Sequence, residues 1–281
     1  MVEMPSIKEI LQMKKVSDYG AHFPKSRQTF IDYTISPPKK YSIDSEETQK
    51  MLFEFTNAPA PAVRLQRIIR VCGRVAEERF IEGKIIKHGS LDGLQIKQLA
   101  RIIFGINSAK IQNSFKKKRF LKKLRFMLRY LKTSGGFTAD EKKELSKLVN
   151  KVPKQIKWAL CHNDVGYDNL ILKNSKLYLI DMGDMCYGPV AFELAKIFYN
   201  LNLTRKQKTA FIDWYVHFGG DASQYTKQAL MWDALIALTK VSGAIHKVRE
   251  SCASSGQKKK FEVQFKKRKK ILLGLLSGLN V

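Results

Sequence analysis

The chain has 281 residues, 44% of them hydrophobic, with 16 Phe, 10 Tyr and 3 Trp; that is enough apolar material for one large or two small cores and excludes a disordered chain. Its 51 Lys and Arg outnumber 25 Asp and Glu for a formal net charge of +26, a field suited to anionic partners, yet no zinc-finger spacing, aromatic RNA-binding signature or basic-zipper heptad supports a nucleic-acid function. No run of 18 apolar residues predicts a transmembrane segment, the N-terminal "MVEMPSIKEILQMKK" lacks the pattern of a signal peptide, and Cys72, Cys161, Cys186 and Cys252 stand apart without C-x-x-C spacing, as reduced thiols of a cytoplasmic protein would.

Residues 1–83 read as a small strand-rich unit. "RQTFIDYTI" (27–35) alternates polar residues with β-branched or aromatic ones and predicts a strand, which Pro37-Pro38 ends. "SIDSEETQKMLFEFT" predicts a helix with Asp44 or Ser45 as N-cap and Glu46 and Glu47 in its first turn. Two strands are expected over 63–71 and 74–80, turning at Cys72-Gly73, and Gly83 marks a hinge.

From Leu91 the periodicity becomes helical. "LDGLQIKQLARIIFGINS" is one amphipathic stretch, and 114–132 sets Phe120, Leu121, Leu124, Met127, Leu128 and Leu131 on one face with basic residues opposite. A further helix is expected behind Thr138. Two strands, "WALCH" and "LYLID", flank a turn at Asn174-Ser175. Beyond Pro189 the chain reads as helical to a basic tail, "KKKFEVQFKKRKKILLGLLSGL". The class is therefore α+β: a small β-rich lobe over 1–83 and a larger, mostly helical lobe over 84–281, with a ligand cleft expected between them.

Asp164, Asn169 and Asp181 sit close together in this otherwise apolar stretch. Clustered carboxylates repel one another unless a cation joins them. The order His162-Asn163-Asp164, then Asn169 five residues on, then Ile180-Asp181, resembles the catalytic loop and metal-binding Asp of the protein kinase-like superfamily. "CHND" and "IDMGDMCYGPVAFELA" are similar in particular to the aminoglycoside phosphotransferase and choline kinase-like family, with its H-[GN]-D-x-x-x-x-N pattern. Glu193 stands where that family usually has Asp.

The resemblance implies a bilobal kinase-like fold and transfer of the γ-phosphate of ATP, with Mg²⁺, to a hydroxyl of a small molecule or sugar. It makes Asp164 the catalytic base, with His162 bracing its loop, and Asn169 and Asp181 the Mg²⁺ ligands. Asp184 would stand behind the metal site and Glu193 would be a structural hydrogen-bond partner. "VAEERFIEG" becomes the fifth strand and hinge, with backbone from Glu78 to Phe80 meeting adenine. The small lobe departs from the pattern. It has no glycine-rich phosphate loop, the nearest candidate being "SDYGAHF" (17–23). Lys39 and Lys40 precede Glu46 and Glu47 too closely for the usual strand-lysine to helix-glutamate pair, although one of these lysines is expected at the phosphates. A nucleotide-binding pseudokinase or adaptor therefore stays open, as does a kinase of a membrane glycolipid or protein.

The basic helices read first as solvated lysine faces; a peripheral contact with an anionic surface is the functional alternative. Asp213, Trp214, Tyr215, Asp221, Trp232 and Asp233 are candidate walls for a cationic acceptor. The net charge of +26 favours a neutral or anionic one.

Overall fold

The computed structural model describes the chain except residues 1–3, 6–8, 11–13, 16–27, 33–37, 45, 58–63, 110–119, 135, 251–254 and 280–281. In chain order its elements are β1 (Lys14–Lys15), β2 (Gln28–Asp32), β3 (Lys39–Ile43), α1 (Glu46–Asn57), β4 (Ile68–Cys72), β5 (Val75–Glu78), β6 (Lys84–Ile85), α2 (Gly93–Asn107), α3 (Phe120–Thr133), α4 (Ala139–Asn150) and β7 (Trp158–Cys161). There follow β8 (Leu170–Lys173), β9 (Lys176–Leu179), β10 (Cys186–Pro189), α5 (Val190–Asn200), α6 (Arg205–His217), α7 (Ser223–Lys227), α8 (Ala229–Glu250) and α9 (Ser255–Gly278). Contacts group them into two compact units that interleave along the sequence. One comprises Met1–Lys116, His162–Cys186 and Leu203–Gly220, and the other Lys117–Cys161, Tyr187–Asn202 and Asp221–Val281.

In the first unit, five strands form a sheet ordered β1-β2-β3-β5-β4, antiparallel throughout. Alternation decides its two faces. Tyr41 and Ile43 of β3 join Phe30, Val75 and Ile10 in one buried cluster, so Lys40 and Ser42 belong to the opposite face. Helix α1 covers that face: Gln49 Nε2 donates to the Ser42 carbonyl at 3.0 Å and to its hydroxyl at 3.2 Å. The strand expected over 27–35 is realised as β2, its remaining residues lying outside the described ones. The two later strands of this lobe are shorter than their expected spans, and their turn places Gly73 at φ +54°.

The same unit carries a second sheet, β6-β8-β9. The expected strand at "LYLID" is β9. Its partner β8 was not anticipated, because "LILK" follows the catalytic loop with no break in composition. The turn between them holds Asn174 at φ 49° and Ser175 at φ 57°, the left-handed pair of a type I′ hairpin. Gly83 meets this sheet closely: a Cβ there would lie 2.5 Å from Ile171 Cγ2 and 2.8 Å from the Leu172 carbonyl oxygen. Helix α2 starts with a full capping box, in which Gln95 N–H donates to Asp92 Oδ1 at 2.8 Å and Asp92 N–H to Gln95 Oε1 at 3.3 Å. It packs on α6, where the Tyr215 hydroxyl donates to Asn107 Oδ1 at 2.8 Å.

The second unit is mainly helical. Trp232 of α8 is fully buried, and Phe120 of α3 reaches it and Phe192 of α5 with ring centroids 6.3 and 4.9 Å away. Thr138 caps α4 as expected, in a capping box with Glu141. The strand at "WALCH" is β7, which pairs with β10, a strand that has no counterpart among the sequence expectations. Cys72, Cys161 and Cys186 are free thiols; Cys252 lies outside the described residues. Among the described residues, no helix is long and apolar enough to cross a membrane.

Candidate active site

The loop between β7 and β8 is organised around a histidine. His162 is fully buried. Its Nε2 lies 3.2 Å from the Ile180 carbonyl, and its Nδ1 lies 3.3 Å from the Asp164 N–H. One neutral tautomer satisfies both contacts, with Nε2–H donating to Ile180 and Nδ1 accepting from Asp164. Burial pushes the His162 pKa below its ordinary value, against the raising influence of Asp164, Asp181 and Asp184, which suits that neutral form. The ring thus joins the start of the loop to the residue before Asp181.

Asn163 takes the left-handed conformation at φ 64°, which glycine and asparagine tolerate best. This gives the H-[GN]-D pattern a backbone reason. Its buried amide reaches Cys186 Sγ at 3.3 Å. The contact with Cys186 has no signal in the sequence, where Asn163 stands only as the [GN] position of the H-[GN]-D pattern.

Asn169 ends a short 3-10 turn, Tyr167–Asn169. Its Nδ2 donates to the Asp164 carbonyl at 2.7 Å and to Asp164 Oδ2 at 3.2 Å. Ile180 N–H donates to the Asn169 carbonyl at 3.0 Å, so backbone links hold the loop to the segment carrying Asp181. Asp181 is half-buried and, like Asn163, left-handed, at φ 61°. Three of the expected residues, His162, Asp164 and Asn169, are thus brought together directly, and Asp181 adjoins them through Ile180.

A divalent cation suits this donor set. With its Nδ2 on Asp164, Asn169 keeps Oδ1 for a hard cation. The Asp181 carboxylate has no hydrogen bond or ion pair among the described residues. Oxygen donors are the ligands such ions prefer. No group of three or more His, Cys, Asp or Glu among the described residues could hold a metal alone; water or ligand oxygens would complete the shell of an ion held by these two side chains.

The other expected residues are placed differently. Lys40 is buried, its Nζ 2.9 Å from Glu78 Oε2 and 2.7 Å from Gln66 Oε1. Lys39 pairs with Glu77 at 3.5 Å. Glu46 turns to Lys50 of its own helix at 2.6 Å, both largely exposed, and the Glu47 side chain lies outside what is described. Among the described side chains, both lysines of β3 thus pair with glutamates of β5. Phe80 is half-buried just past β5, Asp184 is exposed, and Glu193 is buried in α5 of the second unit. The "SDYGAHF" candidate lies outside the described residues.

A profile of the phosphotransferase enzyme family (APH) matches residues 59–230, more than half the chain, including the whole segment from His162 to Asp181. The chain belongs to this phosphotransferase family. In fold this phosphotransferase is similar to choline kinase LicA from Streptococcus pneumoniae, with a TM-score of 0.66 at 13% identity over 96% of this chain and 97% of that one. It is also similar to choline kinase from Cryptosporidium parvum, at 0.64 and 14% over 94% and 91%. A third similar structure is a spectinomycin phosphotransferase solved with ADP and spectinomycin, at 0.62 and 15% over 86% and 85%. The fold is the kinase-like α+β fold, with a small antiparallel-sheet region and a larger helical part. No curated protein sequence matches the chain.

Proposed function

We propose that this phosphotransferase moves the γ-phosphate of ATP to a hydroxyl of a neutral or anionic small molecule, such as a sugar. The observation that carries the reading is the Asp164 carboxylate, half-buried and oriented through Oδ2 by Asn169, beside an unengaged Asp181. In this reading Asp164 takes the acceptor's proton as the acceptor oxygen bonds to the γ-phosphorus and the bond to the bridging oxygen breaks. Asn169 Oδ1 and Asp181 would hold Mg²⁺, which supplies positive charge to the phosphates. Lys40, buried on the α1-covered face of the sheet, is the cation we assign to the nucleotide. Arg79 has its N–H on the Arg67 carbonyl at 2.8 Å and its carbonyl on Gln66 Nε2 at 3.0 Å, so adenine would meet backbone beyond it.

What the candidate cation walls are already doing supports this choice of acceptor charge. Trp232 is fully buried and Tyr215 is bonded to Asn107. Asp221 pairs with Lys157 at 3.0 Å, and Asp233 accepts from the Tyr225 hydroxyl at 3.2 Å. Trp214 already carries Lys97 over its ring at 3.9 Å, and Asp213 shares its surface pocket with Arg205 and Lys206. This supports a neutral or anionic acceptor over a quaternary amine or aminoglycoside.

The test is Asp164→Asn, screened for ATP-dependent phosphorylation across sugars, amino alcohols, aminoglycosides and lipid-core oligosaccharides. Turnover should fall by at least about a hundred-fold with the unfolding midpoint and nucleotide binding retained. Turnover equal to wild type overturns the assignment. The Lys40–Glu78 pairing favours a second reading, a nucleotide-binding protein without turnover. ATP-dependent acceptor phosphorylation that is lost in Asp181→Ala removes that reading.

A further inference from the structure

Arginine is the minority cation of this chain, 13 residues against 38 lysines, yet it collects beside the hinge. A cavity of about 310 Å³ there is lined by Arg64, Arg67, Arg79 and Lys173, with Phe80 and Tyr178. None of Asp164, Asn169 and Asp181 lines it, and neither does any other carboxylate among the described residues.

The backbone forces these charges together. Ile68 pairs with Glu78, and one step further the Arg79 N–H bonds to the Arg67 carbonyl, which makes the two arginines cross-strand neighbours. Lys173 stands directly opposite Lys176 across the β8–β9 hairpin. Like charges opposite one another destabilise paired strands. Nearby, Arg70 is neutralised by buried Glu77 at 2.6 Å. Arg64, Arg67, Arg79 and Lys173 have no acidic partner among the described residues. Arg64 is also held in place. Its Nη1 donates to Gln98 Oε1 at 2.6 Å, and Gln98 is itself bonded to the Ser175 carbonyl and the Leu177 N–H at 3.0 and 2.7 Å.

We propose that this cavity binds a compact anion carrying two or more phosphate groups. Guanidinium forks match phosphate oxygens in geometry as well as charge, and here they outnumber lysine three to one in a lysine-rich chain. The volume lies at the low end for ligand pockets, which suits a diphosphate or a sugar bisphosphate. Gln66, between Leu65 and Arg67, accepts from Lys40 Nζ and donates to the Arg79 carbonyl. Occupancy thus bears on the lysine assigned to the nucleotide, and that consequence alone rests on the proposed function.

Pyrophosphate titrated calorimetrically into the full chain, with a chelator and no nucleotide present, tests the site without any turnover. Wild type should bind one equivalent, and inorganic phosphate should bind at least about ten-fold more weakly. Arg67→Ala/Arg79→Ala removes two exposed side chains and should weaken pyrophosphate binding at least about ten-fold. Lys173→Ala, on the separate hairpin, should weaken it in the same direction. Lys266→Ala/Lys267→Ala on α9 makes the same charge change elsewhere and should alter binding less than about two-fold. The proposal is overturned by no binding to wild type, by equal losses in the two double variants, by equal affinity for phosphate and pyrophosphate, or by loss in Lys40→Ala alone.

Discussion

His162 carries a pH signature. Burial lowers its pKa from 6.5, so in acid the unfolded chain takes a proton that the folded chain refuses. The associated stability is fully present above the unfolded value near about pH 6.5 and is lost as pH falls toward the folded value. Denaturant unfolding followed downward from about pH 7.5 should show this loss in wild type and a flatter profile in His162→Gln; identical slopes would remove the histidine as its source. Asn163 offers a second test. Asn163→Ala and Asn163→Gly both lose the Cys186 contact, but only alanine is strained at φ 64°. Asn163→Ala should be the less stable by about 1 kcal/mol in equilibrium unfolding. The identities of His162, Asp164, Asn169 and Asp181 were legible because their spacing is local. The tautomer of His162 and the left-handed turn at Asn163 were not, since both depend on Ile180 and Cys186, distant in sequence.

Among the elements, amphipathic helices and the start of α4 behind Thr138 were the most legible, because their signals lie within one or two turns. β3 and β8 were not: each is four or five residues long, and its pairing with β5 or β9 supplies stability that no local pattern announces. The β8–β9 turn holds Ser175 at φ 57°, where glycine relieves steric cost. Ser175→Gly should raise stability by about 0.5–1 kcal/mol, read from the unfolding midpoint, with the Gln98 bond to the residue 175 carbonyl kept. The Lys40–Glu78 pair should behave oppositely. With side chains 9% and 1% exposed, Lys40→Met strands a buried carboxylate and should cost about 3–5 kcal/mol. Glu46→Ala, at an exposed pair, should leave the unfolding midpoint nearly unchanged. Comparable losses in both would contradict the burial of Glu78.

At the scale of the molecule, charge dominates. A net +26 repels itself in the compact state, and salt screens that repulsion over a Debye length of about 10 Å at 0.1 M. The thermal midpoint should therefore rise as sodium chloride increases from about 0.01 M to about 0.15 M; a fall would show that attractive pairs prevail. By itself the sequence determined the fold class, the position of the phosphotransferase motif and the residues of its loop, since these rest on periodicity and short spacings. Only the tertiary structure decided which lysine is buried, which glutamate answers it, and that four cations from the 64–79 segment and β8 line one cavity. Those outcomes depend on strand register, and register is set by pairing between residues far apart in the chain.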